Sequence, residues 1–581
     1  MTSAVEQAVR LLARCYPWPV GENAELDRSL GFLGSDLCPE TVVRAGYGAA
    51  LLCLPVIVLV GVVVPTGATL LVLGCGAAGA LAVVHAIHSA PHTLATARRT
   101  RAVGEAPALV SRAILRMRVT PATETAAAFA AETGRGPLAD SLGEHVRRAA
   151  GGAGSGFHSF TAEWDEWFPA LRRALLLVES AGTAPDGERE RALDRGMAAV
   201  LDGTRDRMAE FASGLQGPAT ALYAFGVLLP LALVAMLPAV RTAGASVPLA
   251  AIVVLYDLAL PAVLVAASAW LLVRRPVTFP PPSVGRDHPD VPSRWWPAPA
   301  AGLVAGAVGW LSASGLVAPW TGPLGATGTA CGAALVVYYR PITTVREHVR
   351  AVESGLTDAL YQIGRRVEAG DAVESAVAGA ADEVAGATGE VLREAARRQR
   401  RLKIGVREAF LGEYGALATT PSTRARSAAA LLALAASEGR PAGGAIVAMA
   451  DSVEELAAVE RQARHEVGTV TGTLANTAVL FGPLVAGATV ALSAGIDTGV
   501  TGTVGAPGAT ETVGAAPAAG TAGLGLAVGA YALVLAVILT ALSTGLAHGL
   551  DRALVGYRVG WALLTATATY LAAIYAVGIF V

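Results

Sequence analysis

Three patterns in this chain have the residue types and spacing that metal binding, nucleotide binding or proton transfer would use. His85, His88 and His92 recur at helical spacing, so one helix face carries three imidazoles, which are common metal ligands. Residues 74–79 read GCGAAG and match the GxGxxG pattern of dinucleotide-binding loops. Asp257 is an acidic residue within an apolar run, where an ionisable side chain is costly and therefore a candidate for ion or proton transfer.

Each pattern also has an interpretation that needs no such chemistry. The glycine segment lies inside an apolar run, and Arg98 and Arg99 follow where a dinucleotide site needs an acid, so we predict helix packing through small residues. The histidines lie beside Pro91 at the end of that run and are interpreted as interfacial side chains. No other predicted membrane segment has an acid or base in its core, so Asp257 is predicted to pack or hydrogen-bond, with a proton relay as the alternative.

The densest group of basic residues is a candidate partner-docking surface. Its members follow one another along one polar stretch: Arg397, Arg398, Arg400, Arg401, Lys403 and Arg407. They could bind an acidic protein or anionic headgroups. The alternative is a solvated helix face neutralised by Glu390 and Glu394.

The sequence argues against catalysis and against nucleic-acid binding. Lys403 is the sole lysine and is not part of a GxxxxGK[ST] loop, so ATP hydrolysis would need another chain. The five cysteines form no CxxC pair, and we predict no catalytic, cofactor-binding or metal-binding residues. The formal net charge is −2, which lacks the basic footprint of a nucleic-acid-binding protein.

Long apolar runs must position these residues. They begin near Ala45, Gly67, Gly217, Val247, Ala298, Gly322, Gly472, Thr521 and Val559. Each run has about 18 to 25 residues, enough for a helix to cross a bilayer, so we predict nine transmembrane helices. The first three runs return after 253, 255 and 255 residues, which predicts a tandem parallel repeat.

Two long polar segments separate these runs, with apolar residues at spacings of three and four. This periodicity predicts an all-α polytopic membrane protein in which each half encloses a helical-bundle domain. The predicted plan is 1–44, a cytoplasmic segment; 45–89, transmembrane helices 1 and 2; 90–214, the first cytoplasmic helical domain; 215–273, transmembrane helices 3 and 4; 274–297, a proline-rich cytoplasmic linker; 298–339, transmembrane helices 5 and 6; 340–468, the second cytoplasmic helical domain; 469–547, transmembrane helices 7 and 8 with an external Gly/Thr-rich loop at 494–520; and 548–581, a short cytoplasmic loop and transmembrane helix 9.

The distribution of basic residues predicts the orientation. Of the 44 lysines and arginines, all but Arg241 lie on one side of this plan. Because basic loops stay cytoplasmic, we predict a multi-pass protein of the cell membrane. Its N-terminus and both helical domains would lie inside, and its C-terminus outside.

Short segments at the breaks of the polar domains resemble a known family. In the second domain, Gly370-Asp371-Ala372-Val373-Glu374-Ser375-Ala376 resembles a glycine-plus-small-residue helix start, and Glu438-Gly439-Arg440-Pro441 opens a long helix that contains Glu454-Glu455. In the first, Gly134-Arg135-Gly136-Pro137-Leu138 resembles a Gly-Pro-Leu turn, although Thr120-Pro121-Ala122-Thr123 stands where a glycine start is expected. With the duplicated architecture, these segments are similar to the type II secretion F-domain family, and above all to its longer archaeal members.

That resemblance implies a non-enzymatic platform protein of a type IV pilus, archaellum, tight-adherence pilus or secretion machine. Such a platform couples a hexameric secretion ATPase, which is a separate chain, to the assembly of pilin-like subunits. The implied partners are this ATPase, the subunits and the lipid bilayer, and a homodimer is one possible assembly.

Two other classes stay open. Parallel repeats and broken helices are typical of some secondary transporters, and Gly482-Pro483 and Asp257 with Pro261 could mark such breaks. A sensor or signalling receptor is a third class, although no phosphotransfer or ligand-binding domain is recognisable in the sequence.

Overall fold

A computed structural model describes residues 3–21, 23–63, 69–134, 136–150, 155–242, 248–275, 284–438, 442–502 and 516–580. Every regular element in these ranges is helical, which confirms the all-α prediction for this part of the chain. The α-helices are numbered α1 to α24 in chain order.

Two short helices precede the apolar ones and pack on them. α1 (Ser3–Arg14) packs on α3 (Pro39–Val63), and α2 (Ala24–Leu33) packs on α4 (Thr69–Gly104). The Asn23 side chain accepts hydrogen bonds from two backbone N–H groups in the first turn of α2, which stabilises the start of that helix.

The first helical domain follows α4. Its helices are α5 (Ala106–Val119), α6 (Thr123–Thr133), α7 (Pro137–Ala149), α8 (Phe157–Trp164), α9 (Pro169–Ala181) and the first part of α10 (Asp186–Tyr223). Leu109, Leu138, Phe157 and Leu175 are fully buried in its core. These side chains come from four different helices, so burying them in one core holds the bundle together.

The chain then continues through apolar helices that include two π-helical turns. These elements are the π-helix Ala224–Leu228, α11 (Leu229–Thr242), α12 (Leu249–Val253), the π-helix Val254–Ala259, α13 (Leu260–Arg274), α14 (Pro297–Leu316), the 3-10 turn Pro319–Thr321 and α15 (Gly322–Ser354).

The second helical domain and the last apolar helices complete the chain. The domain comprises α16 (Leu356–Glu368), α17 (Val373–Glu383), α18 (Gly386–Leu402), α19 (Val406–Leu411), α20 (Thr423–Glu438) and the first part of α21 (Ala442–Asn476). After it come the π-helix Thr477–Phe481, α22 (Gly482–Gly502), α23 (Ala516–His548) and α24 (Arg552–Phe580).

Seven helical segments in the described residues are long and apolar enough to cross a membrane. They are Pro39–Leu59, Asp186–Met236, Leu249–Arg274, Pro297–Leu316, Gly443–Ala494, Ala522–His548 and Arg552–Phe580. The second and sixth predicted spans correspond to α4 and α15, which are helical but are not among the seven. In α15 the predicted span carries four glycines and two threonines, which lower its apolar character. Nine spans and a tandem repeat therefore stay predictions.

The apolar helices form one bundle with an apolar exterior. Its core contains Tyr256, Leu474, Leu535 and Tyr570, from the second π-helix, α21, α23 and α24. On the outside of α14, Leu303 is 77% exposed, which is an unfavourable position in water and a favourable one in lipid. Similarly exposed side chains lie on the other apolar helices, which indicates a membrane protein.

Candidate functional site

The two helical domains pack directly against each other. α5 and α10 of the first domain contact α21 of the second. Leu456 of α21 belongs to the core of the first domain, and Leu115 of α5 belongs to the core of the second. Across this interface, Arg112 donates hydrogen bonds of 3.4 and 3.5 Å to the Ser427 hydroxyl. The two domains therefore share apolar side chains across their interface.

A cavity of about 840 Å³ lies where the two domains meet the ends of α13 and α23. Its lining includes eight arginines and five carboxylates, so positive charge predominates. The arginines are Arg101, Arg112, Arg275, Arg350, Arg424, Arg426, Arg461 and Arg464, and the carboxylates are Glu105, Glu353, Asp358, Glu454 and Glu460.

Ion pairs neutralise only part of this charge. Arg424 lies 2.6 Å from Glu460 and 3.9 Å from Glu353, and Glu460 is shared with Arg464. Within the described ranges, Arg350 and Arg461 form no ion pair, and both residues are exposed. The cavity can therefore attract an anion of more than one negative charge.

Glu105 occupies the end of the cavity beside the first domain. Its carboxylate is only 11% exposed and lies 3.7 Å from Arg101. Burial raises the pKa of Glu105 to about 7, although a hydrogen bond from the Leu138 backbone acts in the opposite direction. Gly136, with φ of +104°, passes so close that a Cβ there would overlap the carboxylate. The turn at Gly136-Pro137 thus packs directly against the Glu105 carboxylate.

Glu105 should make folding stability depend on pH. Its pKa is higher in the folded than in the unfolded chain, so the folded state binds the proton more tightly. The stability that Glu105 contributes is therefore fully present below about pH 4.5 and is lost, by on the order of 3 kcal/mol, as pH rises through about 7. Glu105→Gln should flatten this dependence and be more stable than wild type at about pH 8. Thermal unfolding in detergent between about pH 4.5 and 8 measures the pH dependence of stability. Parallel plots of unfolding temperature against pH for wild type and Glu105→Gln would contradict the role of Glu105.

The basic residues predicted as a docking surface lie on α18, on α19 and in the turn between them, away from the cavity lining. Glu394 pairs with two of them, at 3.0 Å from Arg397 and 2.9 Å from Arg398. The remaining four are exposed and form no ion pair with a described residue: Arg400, Arg401, Lys403 and Arg407. Four of the six predicted docking residues are thus available to a partner, and they lie around the turn between α18 and α19.

Lys403 gives this turn its shape. It ends α18 with φ of +54°, a left-handed conformation that usually belongs to glycine. For a residue with a Cβ this conformation costs roughly 1–2 kcal/mol. The strained lysine therefore lies in the turn that follows Arg400 and Arg401 and precedes Arg407.

Two of the three histidines make contacts with neighbouring helices, and Gly76 is the member of the glycine pattern that packs against another helix, whereas Gly74 and Gly79 meet no atom within 4 Å. His88 lies 3.0 Å from the Val43 carbonyl and His92 lies 3.4 Å from Glu25, so each contacts a different helix. In the described part of the chain, no group of three potential ligands could hold a metal ion. A Cβ on Gly76 would overlap Ile57, which shows that α3 and α4 approach closely at this glycine.

Asp257 lies in the π-helix Val254–Ala259, within the membrane bundle. Its Oδ1 atom is buried and has no hydrogen-bond partner among the described residues. Next to it, the Tyr256 hydroxyl donates to the Pro230 carbonyl at 2.6 Å, and the Tyr256 ring packs edge-on against Tyr531. The Tyr531 hydroxyl donates to the carbonyl of Gly226 in the other π-helix. Asp257 therefore stands beside a polar network without joining it.

A serine–histidine–carboxylate group in the first domain was not anticipated from the sequence. His145 Nδ1 lies 2.9 Å from the Ser159 hydroxyl, and Nε2 lies 2.7 Å from Glu163. The three residues are separated along the chain and follow no motif. The buried His145 ring joins α7 to α8, and Ser159 does not line the cavity, so we interpret the group as a structural link.

No family model, curated protein or solved structure matches this chain. The function of the site must therefore be inferred from the residues themselves.

Proposed function

We propose that this chain is a membrane platform protein of a type IV pilus-like or secretion machine, which couples a cytoplasmic secretion ATPase to the assembly of pilin-like subunits. The observation that carries the proposal is the continuity of two helices. Asp186–Met236 and Gly443–Ala494 each run from a helical domain into the apolar bundle without a flexible break. A continuous helix can transmit a displacement of the domain to subunits held in the membrane.

We also propose that the two halves are copies of one unit with nine spans. The helix order supports this: α14 and α15 precede the second domain as α3 and α4 precede the first. The π-helices Ala224–Leu228 and Thr477–Phe481 each follow the long closing helix of their domain. In this arrangement α4 and α15 supply the second and sixth spans. The distribution of basic residues supports a cytoplasmic N-terminus, two cytoplasmic domains and an external C-terminus.

The exposed turn at the end of α18 is the docking surface that we propose for the ATPase. Arg400, Arg401, Lys403 and Arg407 supply positive charge, and the neighbouring Leu402 side chain is 64% exposed. A partner surface with acidic residues around an apolar pocket would complement this combination.

Reversing charge at this turn should weaken ATPase binding. Arg400→Glu with Arg401→Glu should reduce recovery of the ATPase with the tagged chain at least tenfold, because two attractive contacts become repulsive. The loss should be largest at low salt, where charges are least screened. The matched control is Arg195→Glu with Arg365→Glu, which changes the net charge equally at two other exposed arginines. Equal recovery with both double variants would contradict docking at this turn.

A secondary transporter is the second candidate, and Asp257 is the observation that favours it. A buried, unpartnered carboxylate oxygen in a π-helix is typical of sites where membrane helices bind ions. If the chain is a transporter, Asp257→Asn should abolish transport, whereas Arg400→Glu with Arg401→Glu should leave transport unchanged.

A further inference from the structure

Arginines from separate helices meet beside a histidine at the end of the cavity nearest the membrane bundle. Arg275 follows α13, Arg350 lies on α15, Arg464 lies on α21, and His548 ends α23; all four line the cavity. Arg558 of α24 lies against this group, with its two terminal nitrogens 3.5 Å from the ring nitrogens of His548. Five helices therefore contribute a cationic or protonatable group to one place.

Carboxylates offset little of this charge. Within the described ranges, Glu460 is the acid that pairs with Arg464, and it is shared with Arg424. Asp551, at the start of α24, pairs with Arg346 instead. Arg350 has no ion pair with a described residue. An excess of positive charge thus remains at the cavity end.

Arg275 is held in place by the end of α23. Its Nε donates to the Leu546 carbonyl at 2.6 Å, and a terminal nitrogen lies 3.5 Å from the Ala547 carbonyl. Burial lowers the pKa of Arg275 to about 10, and the charge of Arg464 adds to this effect. Two guanidinium groups that destabilise each other's charge gain the most from an anion between them.

We propose that this end of the cavity binds a phosphate-bearing anion, with Arg275, Arg350 and Arg464 as its ligands. The planar guanidinium fork matches phosphate oxygens and can donate two parallel hydrogen bonds. A volume of about 840 Å³ is in the range of small-molecule sites. Val467 and Leu546 line the same region, so an apolar group attached to the phosphate can also be accommodated. The site does not depend on the platform function and would serve a transporter equally.

The phosphate group can belong to a lipid headgroup or to a soluble compound, and two binding measurements distinguish these sources. In the first, the full-length chain is placed in lipid nanodiscs that contain phosphatidylglycerol and phosphatidylcholine, and native mass spectrometry counts the retained lipids. In the second, the chain in neutral detergent is titrated with inorganic pyrophosphate by isothermal calorimetry. Selective retention of phosphatidylglycerol indicates a headgroup, whereas saturable pyrophosphate binding alone indicates a soluble phosphate compound.

Arg350→Gln and Arg464→Gln are the informative variants, and the exposed Arg195→Gln on α10 is the matched control. Each cavity variant should weaken binding about tenfold or more, because it removes a charge-assisted hydrogen bond, and the control should bind as wild type does. Selective binding by wild type in either measurement, lost in the cavity variants, supports the site. Wild type that binds neither probe selectively, or cavity variants that bind as tightly as wild type, would overturn it.

Discussion

A short Gly/Ser segment inserted at Gly468 should reduce filament assembly to the level of cells that lack the chain. Gly468 lies within α21, and α21 is part of the continuous helical segment Gly443–Ala494, which runs from the second helical domain into the membrane bundle. The inserted residues do not propagate a helix, since glycine costs about 1 kcal/mol per residue there relative to alanine. A displacement of the domain would then be absorbed by the linker and would not reach the membrane bundle. Electron microscopy of surface filaments measures the effect.

Two controls separate lost coupling from lost folding. Gly468→Ala should assemble filaments normally, because a Cβ at this position meets no atom within 4 Å and alanine strengthens the helix. The same linker placed among the exposed residues 292–294, outside the helices, should also be tolerated. The insertion at Gly468 should leave membrane abundance and ATPase recovery unchanged. Wild-type numbers of filaments from this variant would show that rigid coupling through α21 is wrong.

Replacing Asp551 with alanine should cause the largest loss of stability of any single substitution considered for this chain. Its side chain is 2% exposed and pairs with Arg346, whose side chain is 11% exposed. The other carboxylate oxygen accepts hydrogen bonds from the backbone N–H groups of Ala553 and Leu554, at 2.9 and 3.2 Å. Breaking a buried pair costs about 3–5 kcal/mol, and losing a helix cap costs about 0.5–2 kcal/mol. Thermal unfolding in detergent should show this loss.

Asp551→Asn separates the two contributions. Asparagine can still accept hydrogen bonds at the start of α24, so this variant should lose the ion pair but keep the cap, and fall between wild type and Asp551→Ala. Adding Arg346→Met to Asp551→Asn should restore part of the stability, since it removes the buried charge that the first substitution left unpaired. If Asp551→Ala unfolds within a degree or so of wild type, the pair does not stabilise the contact between α15 and α24.

The helical character of this chain could be predicted because it depends on local patterns. Apolar runs and spacings of three and four residues are visible in the sequence, and the structure has helices at those places. Gly76 illustrates a packing prediction that the structure bears out, since it contacts Ile57 of the neighbouring helix. For α4 and α15 the prediction of a helix is confirmed. Whether these two helices cross a membrane depends on their apolar character as well as on their length.

The cavity could not be predicted because its residues are brought together only by tertiary packing. Arg101 and His548 stand near opposite ends of the sequence and line the same space. Glu105 shows no unusual pattern, and its raised pKa results from the burial that the turn at Gly136 imposes. For the basic cluster, the sequence showed which residues are charged, whereas the structure shows that Glu394 pairs with two of them.

Removing this chain from its native host tests the platform function most directly. We expect surface filaments, or the secreted substrate, to fall to background while pilin-like subunits remain in the membrane and the ATPase remains at its normal level. Supplying the wild-type chain on a plasmid should restore assembly, and the variant with the linker at Gly468 should not. Filaments and secretion at wild-type levels in the deletion strain would contradict the platform function.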